Sequence, residues 1–224
     1  MSSKGVSPVV LRSLPIFADL SEHRLAALSL VASLKSVARN GVVLREGDET
    51  DNVYFVLSGA LRVMVSDDQG REVILSMLGQ GDVFGELGVF DDHPRSATVT
   101  AVEETKLVVF SKQDFLRCLE ANFEIALFMM RGLATRLRMA DHRIESLALL
   151  DVYGRVAQAL LELSELRDGV QVVARRLTKQ DLAKMVGASR EMVSRVMKDL
   201  TMQGLIEERE GELFLLGDVT ELVK

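Results

Sequence analysis

Apolar positions along the chain fall into distinct regimes. Residues 11–36 carry Leu14, Ile16, Phe17, Leu20, Leu25, Leu28 and Leu30 at spacings that predict a short lead-in, helical at least after Pro15. Between Gly41 and Phe110 the period shortens. Val42–Leu44, Val53–Leu57, Leu61–Val65, Val73–Leu75, Ala97–Thr100 and Leu107–Phe110 are brief apolar runs separated by turn clusters such as Asp67–Gly70. Eight of the sixteen glycines lie between 41 and 88, so this segment predicts a compact antiparallel barrel or sandwich of about 8 short strands.

From Asp114 onward the strand pattern stops. Residues 121–149 hold no proline and one glycine, Gly132, which predicts one long helix. Within it Met130, Leu133, Leu137, Ala140, Ile144 and Leu147 follow one another at spacings of 3, 4, 3, 4 and 3. That is the seam of a two-stranded coiled coil, although a helix lying on its own barrel would show the same stripe. After Leu150 a second helical run, capped by Asp151, is expected to reach Leu166, with a loop at Arg167–Gly169 and a compact segment to Leu216. No flexible linker marks the boundary near residues 148–152, so movement of the long helix would pass directly to the second domain. The fold class is α+β: a domain over residues 11–120, a dimerisation helix over 121–150, and a second domain over 151–224.

Composition narrows the function classes. With 48% hydrophobic and 27% charged residues in 224, the chain is an ordinary globular one. No stretch approaches the roughly 18 apolar residues of a membrane span, and no basic segment precedes an apolar core of about 7–15 residues. The expected address is the cytoplasm, with no membrane partner. The single Cys118 can form no internal disulfide and cannot supply the four thiolates usual for an iron–sulfur cluster. His23, His93 and His142 lack zinc-type spacing, and no Ser elbow, Walker loop or Gly-x-Gly-x-x-Gly occurs. The expectation is a protein that is not an enzyme and carries no metal, haem or iron–sulfur cluster.

Gly81-Asp82-Val83-Phe84-Gly85-Glu86-Leu87-Gly88-Val89-Phe90, followed by Pro94-Arg95-Ser96-Ala97-Thr98-Val99, carries the first candidate chemistry. An anion bound inside a barrel needs backbone N–H groups at close approach, hence glycine, with a hydroxyl and a permanent positive charge. Gly85, Ser96 and Arg95 supply these. The Glu86 carboxylate suits a sugar hydroxyl; phosphate would repel it unless it points away.

These residues resemble the phosphate-binding cassette of cyclic-nucleotide-binding domains, specifically those of the bacterial catabolite-activator/fumarate-nitrate-reduction regulator (CRP/FNR) family. Glu46-Gly47-Asp48, Tyr54-Phe55-Val56 and Gly59 resemble the family's earlier barrel signature, and the likeness runs from about residue 11 to 217. It implies a β jelly roll, a long dimerisation helix and a winged helix-turn-helix. It further implies that Gly85 and Glu86 offer N–H groups, that Glu86 takes a ribose hydroxyl, and that Arg95 and Ser96 hold the cyclic phosphate, with Leu87 and Ala97 lining the same site. The alternative is a degenerate barrel in which Arg95 only pairs with Glu86 or Asp92.

The nucleotide stays open. Cyclic AMP is the family default, yet its cyclic-AMP-dependent members present Thr-Ser to the adenine where this chain has Ala140-Asp141. An acceptor-only carboxylate at Asp141 suits the adjacent N–H donors of guanine, and Arg138-Met139-Ala140-Asp141 resembles the Arg-x-x-Asp signature of cyclic di-GMP sites. Cyclic GMP and cyclic di-GMP are therefore carried alongside cyclic AMP. A solvated helix flank is the plain alternative for Arg138.

The second candidate lies downstream. Thr178 caps a predicted helix to Val186, Gly187-Ala188 breaks it, and Ser189 caps a second running to about Met202. Val193, Val196, Met197 and Leu200 share one arc of this second helix; Arg190, Glu191, Ser194, Arg195 and Lys198 lie largely on the opposite arc. Residues 175–198 hold seven cations (Arg175, Arg176, Lys179, Lys184, Arg190, Arg195 and Lys198) against Asp181 and Glu191, although the whole chain carries −6. Such segregation favours one DNA-facing surface on double-stranded DNA; an ordinary helical hairpin with a basic face is the competing reading.

Ser189-Arg190-Glu191-Met192-Val193-Ser194-Arg195 closely resembles the family's recognition helix. The resemblance implies Arg190 and Arg195 on guanines and Glu191 on cytosine N4, hence palindromic GTGA-like half-sites read by a homodimer. Thr178, Lys179, Gln180 and Ser189 would set register on phosphates. Glu207-Glu208-Arg209-Glu210-Gly211-Glu212 departs from the wing, because carboxylates near a DNA backbone are repelled: either this turn faces away or phosphate affinity is lower. RNA polymerase is the further partner implied, although the loop between Ser164 and Val172 is short for the family. A nucleotide-independent DNA binder and a signalling adaptor are the rival functions.

Overall fold

The computed structural model describes residues 5–173, 177–209 and 211–216. The chain divides into two compact units, Met1–Ala134 and Thr135–Lys224. Arg175 and Arg176 of the cationic run, Glu210 of the acidic run and the last eight residues lie outside the described residues.

The first unit opens with α1 (Pro8–Arg12), a 3-10 turn (Pro15–Phe17) and α2 (Glu22–Val31). Eight strands come next: β1 (Ser33–Val37), β2 (Val42–Leu44), β3 (Asn52–Ser58), β4 (Leu61–Ser66), β5 (Glu72–Leu78), β6 (Val83–Phe84), β7 (Thr98–Ala101) and β8 (Thr105–Ser111). Helix α3 (Leu87–Asp91) is inserted between β6 and β7, and α4 (Lys112–Ala121) and α5 (Phe123–Leu149) come after β8. The strands form two antiparallel four-stranded sheets in the orders β1-β8-β3-β6 and β2-β7-β4-β5.

Strand β3 shows why the central runs look continuously apolar. Val53 and Phe55 face a core shared with the N-terminal helices and α4, whereas Tyr54 and Val56 face the core between the sheets. With both faces covered, side-chain alternation no longer separates apolar from polar. Phe17, Phe55, Phe110 and Phe115 form the aromatic centre of the outer core, with the Phe17 and Phe55 rings 5.2 Å apart.

Two strands escape the pattern reading. The lead-in was expected to run to residue 36, but β1 begins at Ser33; only Val37 of its five residues is buried. This edge strand is held by its ladder to β8 rather than by an apolar face. β6 has two residues, too few for any periodicity. Helix α4 is fixed by Ser111, whose Oγ accepts from the Asp114 N–H at 3.1 Å.

The second unit contains the later part of α5, then α6 (Val152–Leu163), β9 (Glu165–Arg167), β10 (Val170–Val173), α7 (Lys179–Val186), α8 (Arg190–Met202), β11 (Ile206–Arg209) and β12 (Glu212–Leu215). Its sheet is ordered β11-β12-β10-β9. Asp151 caps α6, its Oδ1 accepting from the Gly154 N–H at 2.8 Å. The helix stops at Leu163 rather than Leu166, and the expected loop is a hairpin. Asp168 and Gly169 both adopt positive φ (50° and 83°), the geometry that matches the twist of two paired strands. Leu163 and Leu166, three apart, imitate a helical stripe across this break. Among the described residues no helix is long and apolar enough to cross a membrane.

Candidate functional site: effector cassette and nucleic-acid interface

In the first unit the cassette is built around Arg95, which is 6% exposed. Its Nη1 donates to the Gly85 carbonyl at 2.6 Å and its Nη2 to the Asn52 carbonyl at 2.8 Å. The guanidinium also lies 5.9 Å from the centre of the Tyr54 ring, itself stacked on Phe84 at 5.1 Å. Backbone bonds complete the seat: the Arg95 N–H donates to Asp48 O at 2.8 Å, and the Gly47 N–H donates to Arg95 O at 2.9 Å. Glu46-Gly47-Asp48 is thus the partner segment of the cassette arginine.

Gly85 is required twice over. Its φ is +76°, and a Cβ there would come within 2.8 Å of Arg95 Nη1 and 3.3 Å of Tyr54 Cδ2. Beyond close approach of N–H groups, this glycine makes room for the guanidinium itself. Glu86 is 2% exposed, at the start of α3. Asp92 is held instead by the Lys112 ammonium, which also lies 3.4 Å from the Gly88 carbonyl.

Burial pulls the Arg95 guanidinium below its usual range; Tyr54, Asp51, Glu86 and Asp48 oppose that shift. An arginine still keeps its charge at neutral pH. Two of its five N–H donors go to carbonyls, and Nε is buried without a hydrogen-bond partner. A cation with an unspent donor, beside exposed Ser96, is a donor set that fits a phosphodiester anion. Ala97 is buried and Leu87 exposed. Asn52 and Tyr54 were missed as supports for Arg95: one acts through its carbonyl, which any residue has, and the other reads as ordinary barrel core.

Arg138 and Asp141 sit on exposed turns of α5 in the other unit. Within the first unit the structure groups Gly85, Glu86, Leu87, Arg95, Ser96 and Ala97.

The second site lies wholly within the second unit. Thr178 Oγ1 accepts from the Asp181 N–H at 3.0 Å and donates to Asp181 Oδ2 at 2.5 Å, capping α7. Gly187 ends that helix with φ +65°, and Ser189 Oγ then accepts from the Met192 N–H at 3.2 Å to start α8. Val193, Val196 and Leu200 are buried with Leu182, Ala183 and Val186 of α7 and with Val156, Ala157 and Leu160 of α6. Arg190, Glu191, Arg195 and Lys198 are exposed and Ser194 is half-buried; Thr178, Lys179, Gln180 and Ser189 lie at the helix starts, at least partly exposed.

Hydrogen bonds from its own backbone N–H and from the Ser189 hydroxyl hold the Glu191 carboxyl below the usual range, so it is a charged acceptor at neutral pH. In the wing, Arg209 pairs with Glu207 at 2.5 Å and lies 5.3 Å over Phe214, while Arg167 pairs with Glu212 at 2.9 Å. Two carboxylates of the acidic run are thus matched by arginines. Among the described residues no group of three or more His, Cys, Asp or Glu is placed to hold a metal ion.

Residues 34–122 match the cyclic nucleotide-binding domain family, and residues 154–224 match the Crp-like helix-turn-helix domain family. The "cAMP-activated global transcriptional regulator Vfr" of Pseudomonas aeruginosa is 35% identical over 185 residues, covering 78% of this chain and 85% of that protein. The "cAMP-activated global transcriptional regulator CRP" of Pasteurella multocida is 34% identical over 182 residues, covering 78% and 86%. Among solved structures, the c-di-GMP responsive global regulator CLP of Xanthomonas campestris superposes with a TM-score of 0.71 at 28% identity, covering 87% of this chain and 97% of that one.

Proposed function

The chain belongs to the CRP/FNR family of DNA-binding transcription regulators, and from that premise we propose that cyclic AMP, clamped by the cassette of the first unit, controls how a homodimer presents two α8 helices to DNA. The observation that carries the proposal is Arg95: buried, held over Tyr54, with Nε unpartnered. Arg95 spends two of its five N–H donors on carbonyls, so a buried cation is left short of acceptors, and a phosphate oxygen at its remaining Nη hydrogens relieves that penalty. Arg95 and Ser96 take the cyclic phosphate, Gly85 and Glu86 the N–H contacts, and Glu86 the ribose hydroxyl.

The effector acts through a difference in affinity between two arrangements of the regulator, since equal affinity for both would shift nothing. In the dimer the recognition helices lie about 34 Å apart, one turn of duplex, and read palindromic GTGA-like half-sites. Arg190 and Arg195 meet guanine edges and Glu191 accepts from cytosine N4. Thr178, Lys179, Gln180 and Ser189 contact phosphates, with Ser194 and Lys198 alongside. RNA polymerase is the expected partner on promoter DNA, and the cytoplasm the expected address.

A guanine-bearing messenger, cyclic GMP or cyclic di-GMP, is the second reading. Exposed Asp141 in an Arg138-x-x-Asp141 pattern favours it, and so does the likeness to a c-di-GMP responsive regulator. Mobility shifts on a duplex with two GTGA half-sites, with each nucleotide in turn, test both readings. The expected result is that cyclic AMP alters the affinity of the wild type and not of Arg95→Ala, while Arg190→Ala/Glu191→Ala binds no duplex specifically. A response confined to cyclic GMP or cyclic di-GMP, abolished by Asp141→Ala, would replace cyclic AMP with the second reading. Equal responses of wild type and Arg95→Ala would overturn the cassette assignment.

A further inference from the structure

Near the start of α8 one apolar residue lies at the border between the packed and the charged face. Met192 is 41% exposed, although Val193, Val196 and Leu200 on the packed face are buried. Its position is fixed, because its backbone N–H donates to the Ser189 cap. At about 100° per residue, Met192 flanks the outward arc beside Arg195, one turn along, and opposite Arg190.

A thioether chain offers neither a strong donor nor a charge, so Met192 can serve neither a phosphate nor a polar base edge. The apolar feature of the major-groove edge is the thymine 5-methyl group. Methionine is unbranched and polarizable and can settle on such a methyl without a fixed rotamer. We propose that Met192 is a specificity-determining residue of the recognition helix, selecting thymine at the base step beside the guanine met by Arg195. The proposal rests on α8 being the recognition helix.

The test starts from duplexes selected from a random pool by the full-length protein with cyclic AMP. Each thymine is then replaced by deoxyuridine, which removes only the methyl. At one thymine per half-site the wild type is expected to bind about fourfold more weakly, the worth of one buried methyl. Met192→Ala, which loses the contact in both half-sites, should bind the thymine duplex about 16-fold more weakly and be insensitive to deoxyuridine at that position; Met192→Leu should restore the sensitivity. If no deoxyuridine substitution affects the wild type, or if Met192→Ala keeps the full sensitivity, the proposal is overturned. A simultaneous loss of selection in Arg195→Ala would then leave the recognition-helix reading standing. Failure of the wild type to enrich any sequence with cyclic AMP, cyclic GMP or cyclic di-GMP would overturn that reading as well.

Discussion

At the scale of single residues, Gly85 and Arg95 constrain each other. Gly85→Ala forces a left-handed alanine, at about 1–2 kcal/mol, and pushes its Cβ against the guanidinium. It should lower stability by roughly that amount in urea unfolding and weaken the effector more than stability, because Arg95 must leave its seat. Cys118 offers a pH test: burial pushes its thiol up from 9.0 to about 11. The folded state therefore keeps the neutral thiol. Its contribution is fully present below about pH 9 and lost as pH rises through about 11, roughly 2–3 kcal/mol in all. Urea unfolding of wild type and Cys118→Ala should show the wild type losing ground across that window, and Cys118 should resist thiol reagents at pH 8 until the chain unfolds. Arg95, Ser96 and Gly85 could be singled out from the sequence as candidates because their chemistry is in their side chains or in glycine's lack of one. It did not find Asn52, whose contribution is a carbonyl.

At the scale of elements, the cap residues were legible: Asp151, Thr178 and Ser189 each cap the helix their position implies. The short or one-sided strands were not, since β1 presents one buried residue and β6 has two positions in all. The Asp168-Gly169 turn was visible as a dipeptide but was hidden by the helix-like spacing of Leu163 and Leu166. Arg155 of α6 is a tie that spacing could not show. Its Nε donates to the Val186 carbonyl and its Nη1 to the Leu150 carbonyl, both at 2.9 Å. It thereby joins the last turn of α7 to the end of α5 within the second unit. Arg155→Ala leaves two half-buried carbonyls without a charged donor. The second unit should lose about 2–4 kcal/mol, seen as a lower urea midpoint, and DNA binding should weaken even where the first unit still takes its ligand.

On the scale of the whole molecule, the seam read from the 3-and-4 spacing is solvent-facing in the single chain: Leu137 is 64% and Ile144 67% exposed. Apolar residues repeated along one line of a helix and left in water are the surface that the proposed homodimer would cover. Ile144→Glu should shift the protein from dimer to monomer in analytical ultracentrifugation and reduce affinity for a two-half-site duplex far more than for a single half-site. The charge segregation has a whole-molecule consequence as well, because a chain of −6 carries seven cations against two carboxylates over residues 175–198 and should bind DNA with a steep salt dependence. The central claim is that Arg95 holds a cyclic phosphodiester. It is tested most directly by calorimetric titration of full-length wild type and Arg95→Ala with cyclic AMP, cyclic GMP and cyclic di-GMP. The expected result is one cyclic AMP per chain on the wild type and a loss of about 10–100-fold in Arg95→Ala, the worth of a charge-assisted contact. Equal affinity in the two proteins, or no heat from any of the three nucleotides, would contradict it.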